Sequence, residues 1–541
     1  MISQSYAEAV ASFDWKRVLQ ALEWNASEKV SLGYSIVDRH VGRSRPALLV
    51  IGKDGQERSY SYRELSEASN RFANLLQRLG VKAGDRIGGF MPRGAEVLIA
   101  IIGTLKAGAI YVPVFTGFGV DAIRFRLEHG SAEVLVTHQS VKERLPPDFE
   151  LLTICVTDGV SVLPEGWLDF HRELDKQSPK ASRVLRERND VCTLIYTSGS
   201  TGPPKGGAIA VNFLAAIWPY IVYGLGLRPD DVFWPTGDPG WGYGFVCYLG
   251  ALAAGGTIIS VESNATADMC LSVLQRYQVT NLATTPTLLR SLVALGDERL
   301  RSERASLRAI SSCGEPLNAK VVDTFQALWN VTPMDHFGAT EFAIPVGNFN
   351  AIAMTVKPGS MGRVFPGFRI AIVDDEGREH DADTIGLIGK KTDENCLYWV
   401  KYWNDPTGTH DLVRTGWIVT GDLGRKDQEG YFWFEGRAGD MIKSAGYRIG
   451  PFEIESALLK HHAVAEAAVV GKPDALRGEI VKAFVVLRSG IAANDELAEQ
   501  LSLFVKDAVG AHQYPRIIEF VDTLPKTETG KIQRFALRAR A

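Results

Sequence analysis

A polar loop follows a short apolar segment near the middle of the chain. Residues 196–206 have the sequence YTSGSTGPPKG and come directly after the apolar residues 192–195. Glycine lets backbone N–H groups approach a phosphate closely, and hydroxyls and a lysine add further donors. The composition therefore predicts a phosphate-binding loop, with an ordinary polar linker as the alternative. It is not a Walker A loop, because the GxxxxGK[ST] order is absent.

Further motifs follow this loop in a fixed order. They are Gly314-Glu315-Pro316, the segment Asp335 to Glu341 (DHFGATE), Thr420-Gly421-Asp422, Gly436-Arg437, the segment Gly446 to Pro451 (GYRIGP), and the segment Pro525 to Lys531 (PKTETGK). Together the motifs resemble those of the adenylate-forming superfamily, which contains acyl-CoA synthetases, adenylation domains of peptide synthetases and luciferases. They extend from residue 196 to residue 531, and the first 190 residues are compatible in length.

The resemblance implies a two-step reaction and an α/β fold. A carboxylic acid is activated with ATP to acyl-AMP and pyrophosphate, and the acyl group then passes to coenzyme A. Positive charge aimed at the reacting phosphate lowers the barrier to the first step. The implied fold has a large N-terminal domain of α/β subdomains (1–437) with a β-rich subdomain at about 360–437. A small, mobile C-terminal α/β domain (440–541) follows a hinge near Gly439.

The resemblance also assigns roles to individual residues in adenylation. Lys531 bridges the carboxylate and the α-phosphate, Glu341 holds Mg²⁺, Thr340 contacts the α-phosphate, and Arg448 adds a second charge at the phosphate or at the closed-domain contact. The implied ATP and AMP contacts come from the loop, the adenine-side turn and the ribose site: Thr197, Ser198, Gly199, Ser200, Thr201, Gly202, Lys205, Gly314, Glu315, Pro316, Asp335, His336, Phe337, Asp422 and Arg437.

The same comparison indicates where coenzyme A enters and where the hinge departs from the family. Gly446 and Tyr447 would border the pantetheine tunnel. Lys142 and Arg144 stand where some relatives bind the nucleotide phosphate of coenzyme A, with a solvated charged face as the alternative. The hinge position is usually Asp or Lys, but here it is Gly439, followed by Asp440. Glycine admits both signs of φ, so rotation is retained without the usual side-chain bias.

The acyl pocket is predicted to be lined by Trp241, Gly242, Tyr243, Cys313 and Gly338. Acetate-specific relatives carry a tryptophan at the position of Gly338, and its loss would make room for methylene groups worth up to about 0.8 kcal/mol each. Short- or medium-chain carboxylates, from propionate or isobutyrate to about octanoate, are therefore expected. Arylcarboxylates are the next alternative, and Trp241 and Tyr243 could also be ordinary core aromatics.

The elements that must position these residues alternate between strand and helix patterns. Residues 61–80 predict an amphipathic helix with a Ser61–Glu64 capping box and Gly80 as its stop. Apolar runs at 133–137, 193–196 and 256–261 predict buried strands in mainly parallel sheets. After Arg437 the pattern predicts a smaller α/β block with helices near 451–461 and 495–509 and strands near 465–470, 480–487 and 517–521.

Composition limits the other functions. Lys plus Arg total 59 against 63 for Asp plus Glu, so no strong positive field favours nucleic acid. The six cysteines show no metal or disulfide spacing, and neither a signal peptide nor a membrane span is predicted, so a cytoplasmic protein is expected. A carrier-protein-loading enzyme and a non-catalytic nucleotide-binding module are the competing functions. A homodimer, and a lysine acyltransferase that modifies Lys531, remain open as partners.

Overall fold

A computed structural model describes residues 4–24, 29–157, 159, 162–197, 204–263, 265–392, 398–444, 447–474, 477–509, 514–526 and 532–541 of the chain. The side chains of Lys443, Tyr447, Arg448 and Glu453 are outside this description.

The predicted amphipathic helix shows how local sequence fixes an element. It spans Tyr62–Arg78, and the Ser61 hydroxyl accepts the Glu64 N–H while the Glu64 carboxylate accepts the Ser61 N–H at 2.8 Å. Gly80 follows with φ of +87°, a left-handed conformation that ends the helix without a steric penalty. The capping box and the stop are therefore confirmed.

The strands of the described residues are short and mostly buried. In chain order they are β1 Lys29–Val30, β2 Pro46–Ile51, β3 Glu57–Ser61, β4 Arg86–Phe90, β5 Ile110–Pro113, β6 Val134–His138, β7 Leu152–Val156, β8 Leu168–Asp169, β9 Arg186–Glu187, β10 Val191–Thr197, β11 Lys205–Ala210, β12 Val232–Pro235, β13 Thr257–Val261, β14 Asn281–Thr284, β15 Ala309–Cys313, β16 Pro333–Ala339, β17 Ala343–Gly347, β18 Arg363–Val364, β19 Ile370–Val373, β20 Gly386–Lys391, β21 Lys401–Tyr402, β22 Val413–Arg414, β23 Trp417–Lys426, β24 Phe432–Arg437, β25 Ile442–Ser444, β26 Tyr447–Ile449, β27 Val464–Asp474, β28 Gly478–Leu487 and β29 Ile517–Phe520.

The helices cover the faces of the sheets. They are α1 Tyr6–Ala11, α2 Trp15–Ala21, α3 Leu32–Ile36, α4 Tyr62–Arg78, α5 Ala95–Lys106, α6 Val120–His129, α7 Phe170–Asp175, α8 Phe213–Ala216, α9 Gly242–Ala253, α10 Ala267–Arg276, α11 Pro286–Val293, α12 Asp297–Ser302, α13 Ala319–Trp329, α14 Pro406–Leu412, α15 Pro451–Leu458, α16 Asp495–Val509 and α17 Arg534–Arg538. Short 3-10 turns at Asp38–His40 and Gln139–Arg144 and a π-helical turn at Tyr220–Gly224 complete the set.

Two large mixed sheets form the framework of the N-terminal domain. One has the order β21-β11-β10-β5-β4-β6-β7-β8, and the other the order β18-β17-β16-β15-β14-β12-β13-β2-β3. Their central strands are parallel and antiparallel strands are added toward the ends, as in β10–β11 and β16–β17. The predicted α/β architecture with mainly parallel sheets is therefore confirmed.

Two smaller sheets follow. Strands β19, β20, β23, β22 and β24 form an antiparallel sheet, whereas β21 leaves this segment and pairs with β11 of the first large sheet. The C-terminal sheet has the order β26-β25-β28-β27 with β29 beside β28, and α15 and α16 pack against it through a separate apolar core. The helices and strands predicted after residue 437 are all present.

The remaining global expectations concern cysteines and membranes. The five described cysteines are buried thiols, and none of them forms a disulfide. Within the described ranges, no helix is both long enough and apolar enough to cross a lipid bilayer.

Candidate functional site

The two ends of the predicted phosphate loop lie side by side. β10 and β11 pair antiparallel with Thr197 opposite Lys205, and the loop between them falls outside the described residues. β21 extends this sheet by pairing Tyr402 with Gly207. The loop therefore emerges from a three-stranded edge to which Tyr402 belongs.

Lys205 is already engaged at this edge. Its Nζ lies 3.8 Å from a carboxylate oxygen of Asp405 and 4.8 Å from the centre of the Tyr402 ring. Asp405 also caps α14, accepting the N–H of Gly408 at 2.8 Å. Both side chains of the ion pair remain more than a third exposed, so the lysine can exchange this partner for a phosphate.

Thr340 and Glu341 reach the same edge from the end of β16. An added Cβ at Gly207 would lie 3.1 Å from the Thr340 methyl carbon, which puts Thr340 against the hairpin. The hydroxyl of Tyr398 donates to the Thr340 carbonyl at 3.1 Å, and the hydroxyl of Tyr402 donates to Oε1 of Glu341 at 2.7 Å. The structure thus brings two predicted catalytic residues to the base of the predicted loop.

The Glu341 carboxylate is nearly enclosed, with 8% of the residue exposed. Burial, followed by the nearby Glu341 charge, raises the pKa of Tyr402, so this hydroxyl keeps its proton and donates to the carboxylate. Among the described residues, Oε2 of Glu341 accepts no hydrogen bond. One carboxylate oxygen is therefore held by a phenol and the other retains its lone pairs.

The turn Gly314–Pro316 projects from the end of β15. Gly314 has φ of +101° and no atom within 4 Å of the position of an added Cβ, so it faces open space. Glu315 is fixed by Arg290 at 2.6 Å and by the Thr287 hydroxyl at 2.8 Å. Glu315 therefore fixes the turn, and Gly314 leaves space beside it for a planar ligand.

Asp335 and His336 lie on β16, beside the strand that leads into this turn. Oδ2 of Asp335 accepts the N–H of Leu317 at 3.4 Å, and burial raises the pKa of this carboxyl well above its usual range. Nε2 of His336 lies 2.9 Å from the Asn348 carbonyl, and burial lowers its pKa to about 4. At neutral pH the imidazole is neutral and donates to that carbonyl.

Phe337, another predicted ATP and AMP contact, points toward the small antiparallel sheet. Its ring centre lies 6.3 Å from that of Phe434 on β24, and Phe434 lies at the same distance from Phe452 on α15. This aromatic row joins the site to the first helix of the C-terminal domain.

Asp422 and Arg437 form an ion pair across the β23–β24 ladder. The two residues are directly opposite in register, and Arg437 Nε lies 2.8 Å from Asp422 Oδ1. The Thr420 hydroxyl donates to Oδ2 at 2.6 Å. The side chain of Asp422 is 5% exposed and that of Arg437 49%, so a buried acceptor is accompanied by an accessible cation.

The predicted acyl-pocket residues Tyr243 and Cys313 are close together. The Tyr243 hydroxyl lies 3.0 Å from that of Tyr220, and burial together with the nearby thiols of Cys247 and Cys313 raises the pKa of Tyr243. Gly242 leaves only ordinary van der Waals space before Ile195, at 3.5 Å. The predicted wall of the acyl pocket therefore includes hydroxyl and thiol groups.

Trp241 and Gly338 differ from the other predicted wall residues. Trp241 precedes α9, and its ring packs edge-on against Phe115 and at a tilt against Phe118. An added Cβ at Gly338 would lie 2.3 Å from the Ala343 carbonyl oxygen and 2.8 Å from the Ile344 Cα. The space that a tryptophan would need is filled by the backbone of β17, so Gly338 does not by itself open a cavity.

Arg144 is used within the fold. Its guanidinium donates to the carbonyls of Thr116, Gly117 and Phe118. Lys142 forms a 3.9 Å ion pair with its neighbour Glu143. Backbone carbonyls of this chain therefore hold the Arg144 guanidinium, and its contact with coenzyme A stays a prediction.

Several predicted residues lie outside the described part of the chain. They are Ser198, Gly199, Ser200, Thr201, Gly202, Gly446 and Lys531, together with the side chains of Tyr447 and Arg448. Their roles stay predictions.

Sequence reasoning missed Tyr402 and Asp405, which connect the loop to Glu341. A signal was present, because Asp405-Pro406 is a typical helix start, with an acidic N-cap followed by proline at the first helical position. Nothing in the sequence, however, places this start beside β11, since the pairing is a tertiary contact.

Comparison with known families and proteins gives a consistent result. The family model described as AMP-binding enzyme matches residues 37–389, and the model described as AMP-binding enzyme C-terminal domain matches residues 453–531. An acetyl-coenzyme A synthetase of Bacillus subtilis is 36% identical, over 99% of this chain and 95% of that protein.

Solved structures agree in fold over nearly the full length. The acyl-CoA synthetase of Brucella canis has a TM-score of 0.80 and 38% identity, covering 99% of both chains. The anthranilate CoA ligase AuaEII, in complex with anthranoyl-AMP, has a TM-score of 0.84 and 30% identity, covering 95% of this chain and 97% of that chain.

Proposed function

This chain belongs to the family of AMP-binding enzymes, and we propose that it is an AMP-forming acyl-CoA synthetase. It activates a short- or medium-chain carboxylic acid with ATP and transfers the acyl group to coenzyme A. The observation that carries the proposal is the convergence of Thr340 and Glu341 on the base of the phosphate loop.

The phosphate side of the reaction needs cations and hydroxyls that can engage a triphosphate. Lys205 holds an exposed carboxylate at 3.8 Å, an interaction weak enough to be replaced by a phosphate of ATP. Thr197 ends β10 of this hairpin, and Thr340 lies against Gly207 of β11. Binding of the triphosphate here would direct the α-phosphorus toward the acyl pocket.

The donor set also fits Mg²⁺, a hard cation that takes oxygen ligands. Glu341 offers a carboxylate oxygen without a hydrogen-bond partner among the described residues, while Tyr402 fixes the orientation of the group. When bound there together with ATP, Mg²⁺ would screen the triphosphate and stabilise the pyrophosphate leaving group. Within the described ranges, no group of three or more His, Cys, Asp or Glu side chains could hold a metal ion.

Ribose recognition is assigned to Asp422. Its buried carboxylate can accept hydrogen bonds from both ribose hydroxyls, and the Arg437 guanidinium, at 2.8 Å, fixes the orientation of that carboxylate. The adenine would lie on the open face of Gly314, with Glu315 and Asp335 holding the turn in place.

The second half of the reaction depends on domain movement. We place the domain boundary at the turn 437–440, with Gly439 as the exposed pivot and residues 440–541 as the mobile C-terminal domain. Lys531 acts in adenylation, and after rotation Gly446 and Tyr447 border the path of the coenzyme A thiol.

The acyl group would enter beside Tyr243 and Cys313. Because the missing side chain at Gly338 does not open a cavity, Tyr243 becomes the residue that sets the depth of the pocket. Substituting Tyr243→Ala should favour longer acyl chains, each extra methylene gaining up to about 0.8 kcal/mol. The control variant is Tyr277→Ala, at a half-buried tyrosine whose hydroxyl donates to Glu57.

The decisive experiment is a carboxylate panel with ATP, Mg²⁺ and coenzyme A, measured as AMP release. The panel contains acetate, propionate, isobutyrate, butyrate, hexanoate, octanoate, benzoate and anthranilate. We expect carboxylate-dependent AMP with one of the propionate-to-octanoate series as the best substrate, and loss of activity in Glu341→Gln. AMP release that does not depend on a carboxylate would contradict the proposal.

Two outcomes would assign the protein a different activity within the same family. Best activity with benzoate or anthranilate would make the protein an arylcarboxylate ligase, the class suggested by its similarity to the anthranilate ligase. Carboxylate-dependent exchange of pyrophosphate into ATP with no thioester formed would indicate that the acyl acceptor is a carrier protein.

A further inference from the structure

A cluster of charged side chains fastens the start of the C-terminal domain to its last helix. Arg538 donates to Oδ1 of Asp440 at 2.5 Å, and Arg534 lies 3.9 Å from Oδ2 of the same carboxylate. Arg534 also binds both oxygens of Glu455, at 2.7 and 2.8 Å. These four residues are called the Asp440 cluster below.

Three of the four side chains are largely enclosed, whereas that of Arg538 is 36% exposed. The side chains of Glu455, Asp440 and Arg534 are 6%, 16% and 22% exposed. Glu455 additionally accepts the N–H of Val469 at 2.8 Å, which ties α15 to β27. Enclosed ion pairs contribute little net stability but fix geometry, because an unpaired partner would be costly. The arrangement therefore favours one defined position for α17.

On its upstream side, Asp440 adjoins the turn that precedes the C-terminal domain. The Ala438 N–H binds the Gly421 carbonyl at 2.8 Å, and the Asp440 N–H binds the Arg437 carbonyl at 2.9 Å. Between them Gly439 is exposed, with no atom within 4 Å of the position of an added Cβ. The chain is thus anchored to the large domain before Gly439 and to α17 directly after it.

On its downstream side, α17 begins three residues after Lys531. Lys526 and Ile532 form an antiparallel bridge, and the Gln533 N–H binds the Pro525 carbonyl at 2.9 Å. The residues that flank the segment 527–531 are therefore joined at its base. Arg534, the next residue, belongs to the Asp440 cluster.

We propose that the Asp440 cluster positions Lys531 by joining the segment around it to the residue that follows the hinge. Rotation at Gly439 would then move the Asp440 cluster together with Ile532, the neighbour of Lys531 in the chain. Asp440, Arg534 and Arg538 are positioning residues in this account, and none of them contacts the substrate. The inference rests on the proposed function, because it assumes that Lys531 acts in adenylation.

The test measures the two half-reactions separately in Asp440→Asn and Arg538→Gln. Adenylation is followed as carboxylate-dependent exchange of labelled pyrophosphate into ATP, and thioester formation is followed from supplied acyl-adenylate and coenzyme A. Both variants keep the Arg534–Glu455 pair, so the core of the domain is preserved. Loss of a hydrogen bond between charged groups predicts roughly tenfold slower adenylation, with thioester formation within about twofold of wild type.

Two further measurements separate positioning from a merely structural role. Arg538→Lys should recover much of the adenylation rate lost in Arg538→Gln, because it restores a charge near Asp440. In Asp440→Asn, hydrogen exchange at the Gln533 amide should become faster, since the base of the segment is no longer held. The control is Arg540→Gln, which removes an exposed ion pair with Glu519 and a 5.6 Å cation–π contact with Phe484 and should change neither half-reaction.

The outcomes also separate this inference from the proposed function. If wild-type protein catalyses neither half-reaction with any carboxylate in the panel, the proposed function fails. If wild type is active but Asp440→Asn and Arg538→Gln lower both half-reactions equally, or neither, the positioning role is wrong.

Discussion

The phenol of Tyr402 donates a 2.7 Å hydrogen bond to the carboxylate of Glu341. The two residues are 61 positions apart and meet because β21 leaves the neighbouring antiparallel sheet and pairs with β11. One bond therefore connects β21, which pairs with the strand after the predicted phosphate loop, with the carboxylate proposed to bind Mg²⁺. Tyr402 sets the orientation of that carboxylate, although it lies outside the motifs that resemble the adenylate-forming superfamily.

Removing this hydroxyl should weaken adenylation without blocking it. Tyr402→Phe leaves Glu341 in place but frees its Oε1, and a hydrogen bond to a charged group contributes about 1.5 kcal/mol or more. We expect kcat/KM for pyrophosphate exchange to fall roughly tenfold. The Mg²⁺ concentration for half-maximal activity should rise as well.

Tyr431→Phe is the matched control for that experiment. The Tyr431 hydroxyl is also part-buried and bonded, at 2.5 Å to the Thr355 carbonyl, but it has no contact with Glu341. Its loss should leave the Mg²⁺ dependence unchanged. An equal shift in both variants would mean that Tyr402 acts through general stability.

The buried acceptor at Asp422 predicts recognition of ribose hydroxyls. Wild-type protein should prefer ATP to 2′-deoxy-ATP and 3′-deoxy-ATP by roughly tenfold or more, the value of a hydrogen bond to a carboxylate. In Asp422→Asn this preference should shrink toward unity while activity with ATP falls. The measurement is kcat/KM for AMP release with the three nucleotides.

Asp375→Asn provides the comparison, because Asp375 is an exposed aspartate paired with Arg414. It should retain the full preference for ATP. If Asp422→Asn discriminated against the deoxy-nucleotides as strongly as wild type, the ribose assignment would have to be abandoned.

The proposed rotation at Gly439 predicts that a rigid residue there separates the half-reactions. Gly439→Pro fixes φ near −65° in a turn that is exposed and free of steric contacts. We expect one half-reaction to be retained and the other to fall by at least about tenfold, because the domain is held in one orientation. Gly42→Pro, at another exposed glycine with open space around it, should affect neither. Equal effects of Gly439→Pro on both half-reactions would exclude a pivot at this residue.

His336 predicts a specific pH dependence of stability. Burial lowers its pKa to about 4 from an ordinary value of 6.5, so the unfolded chain binds a proton that the folded chain refuses between these values. The contribution of neutral His336 to the free energy of unfolding is present above pH 6.5 and is lost as the pH falls toward 4. Between pH 7 and pH 5 the loss amounts to about 2 kcal/mol.

The comparison must be made between variants, because the neighbouring Asp335 has a raised pKa and changes stability in the opposite direction. Urea midpoints of wild type and His336→Gln should converge as the pH is lowered from 7 to 5, whereas His410→Gln, at an exposed histidine, should follow wild type throughout. Parallel curves for wild type and His336→Gln would show that this imidazole is not kept neutral by the fold.

The sequence by itself determined the local secondary-structure elements and the family that the motifs resemble. The Ser61–Glu64 capping box, the stop at Gly80 and the helix Asp495–Val509 depend on neighbouring residues, so their patterns could be interpreted directly. The order of the motifs was sufficient for the adenylate-forming resemblance. Apolar runs also predicted the buried strands, because a strand that is buried on both faces of a sheet consists almost entirely of apolar residues.

The tertiary structure decided which side chains meet. Tyr402 reaches Glu341, and Arg534 and Arg538 reach Asp440, through contacts between residues distant in the chain, for which local periodicity carries no signal. The acyl pocket gives the converse case. A glycine at position 338 suggested added space, but the backbone of β17 fills the direction of its missing side chain. The sequence gives the size of each side chain, whereas the free volume around a residue depends on which other parts of the fold pack against that residue.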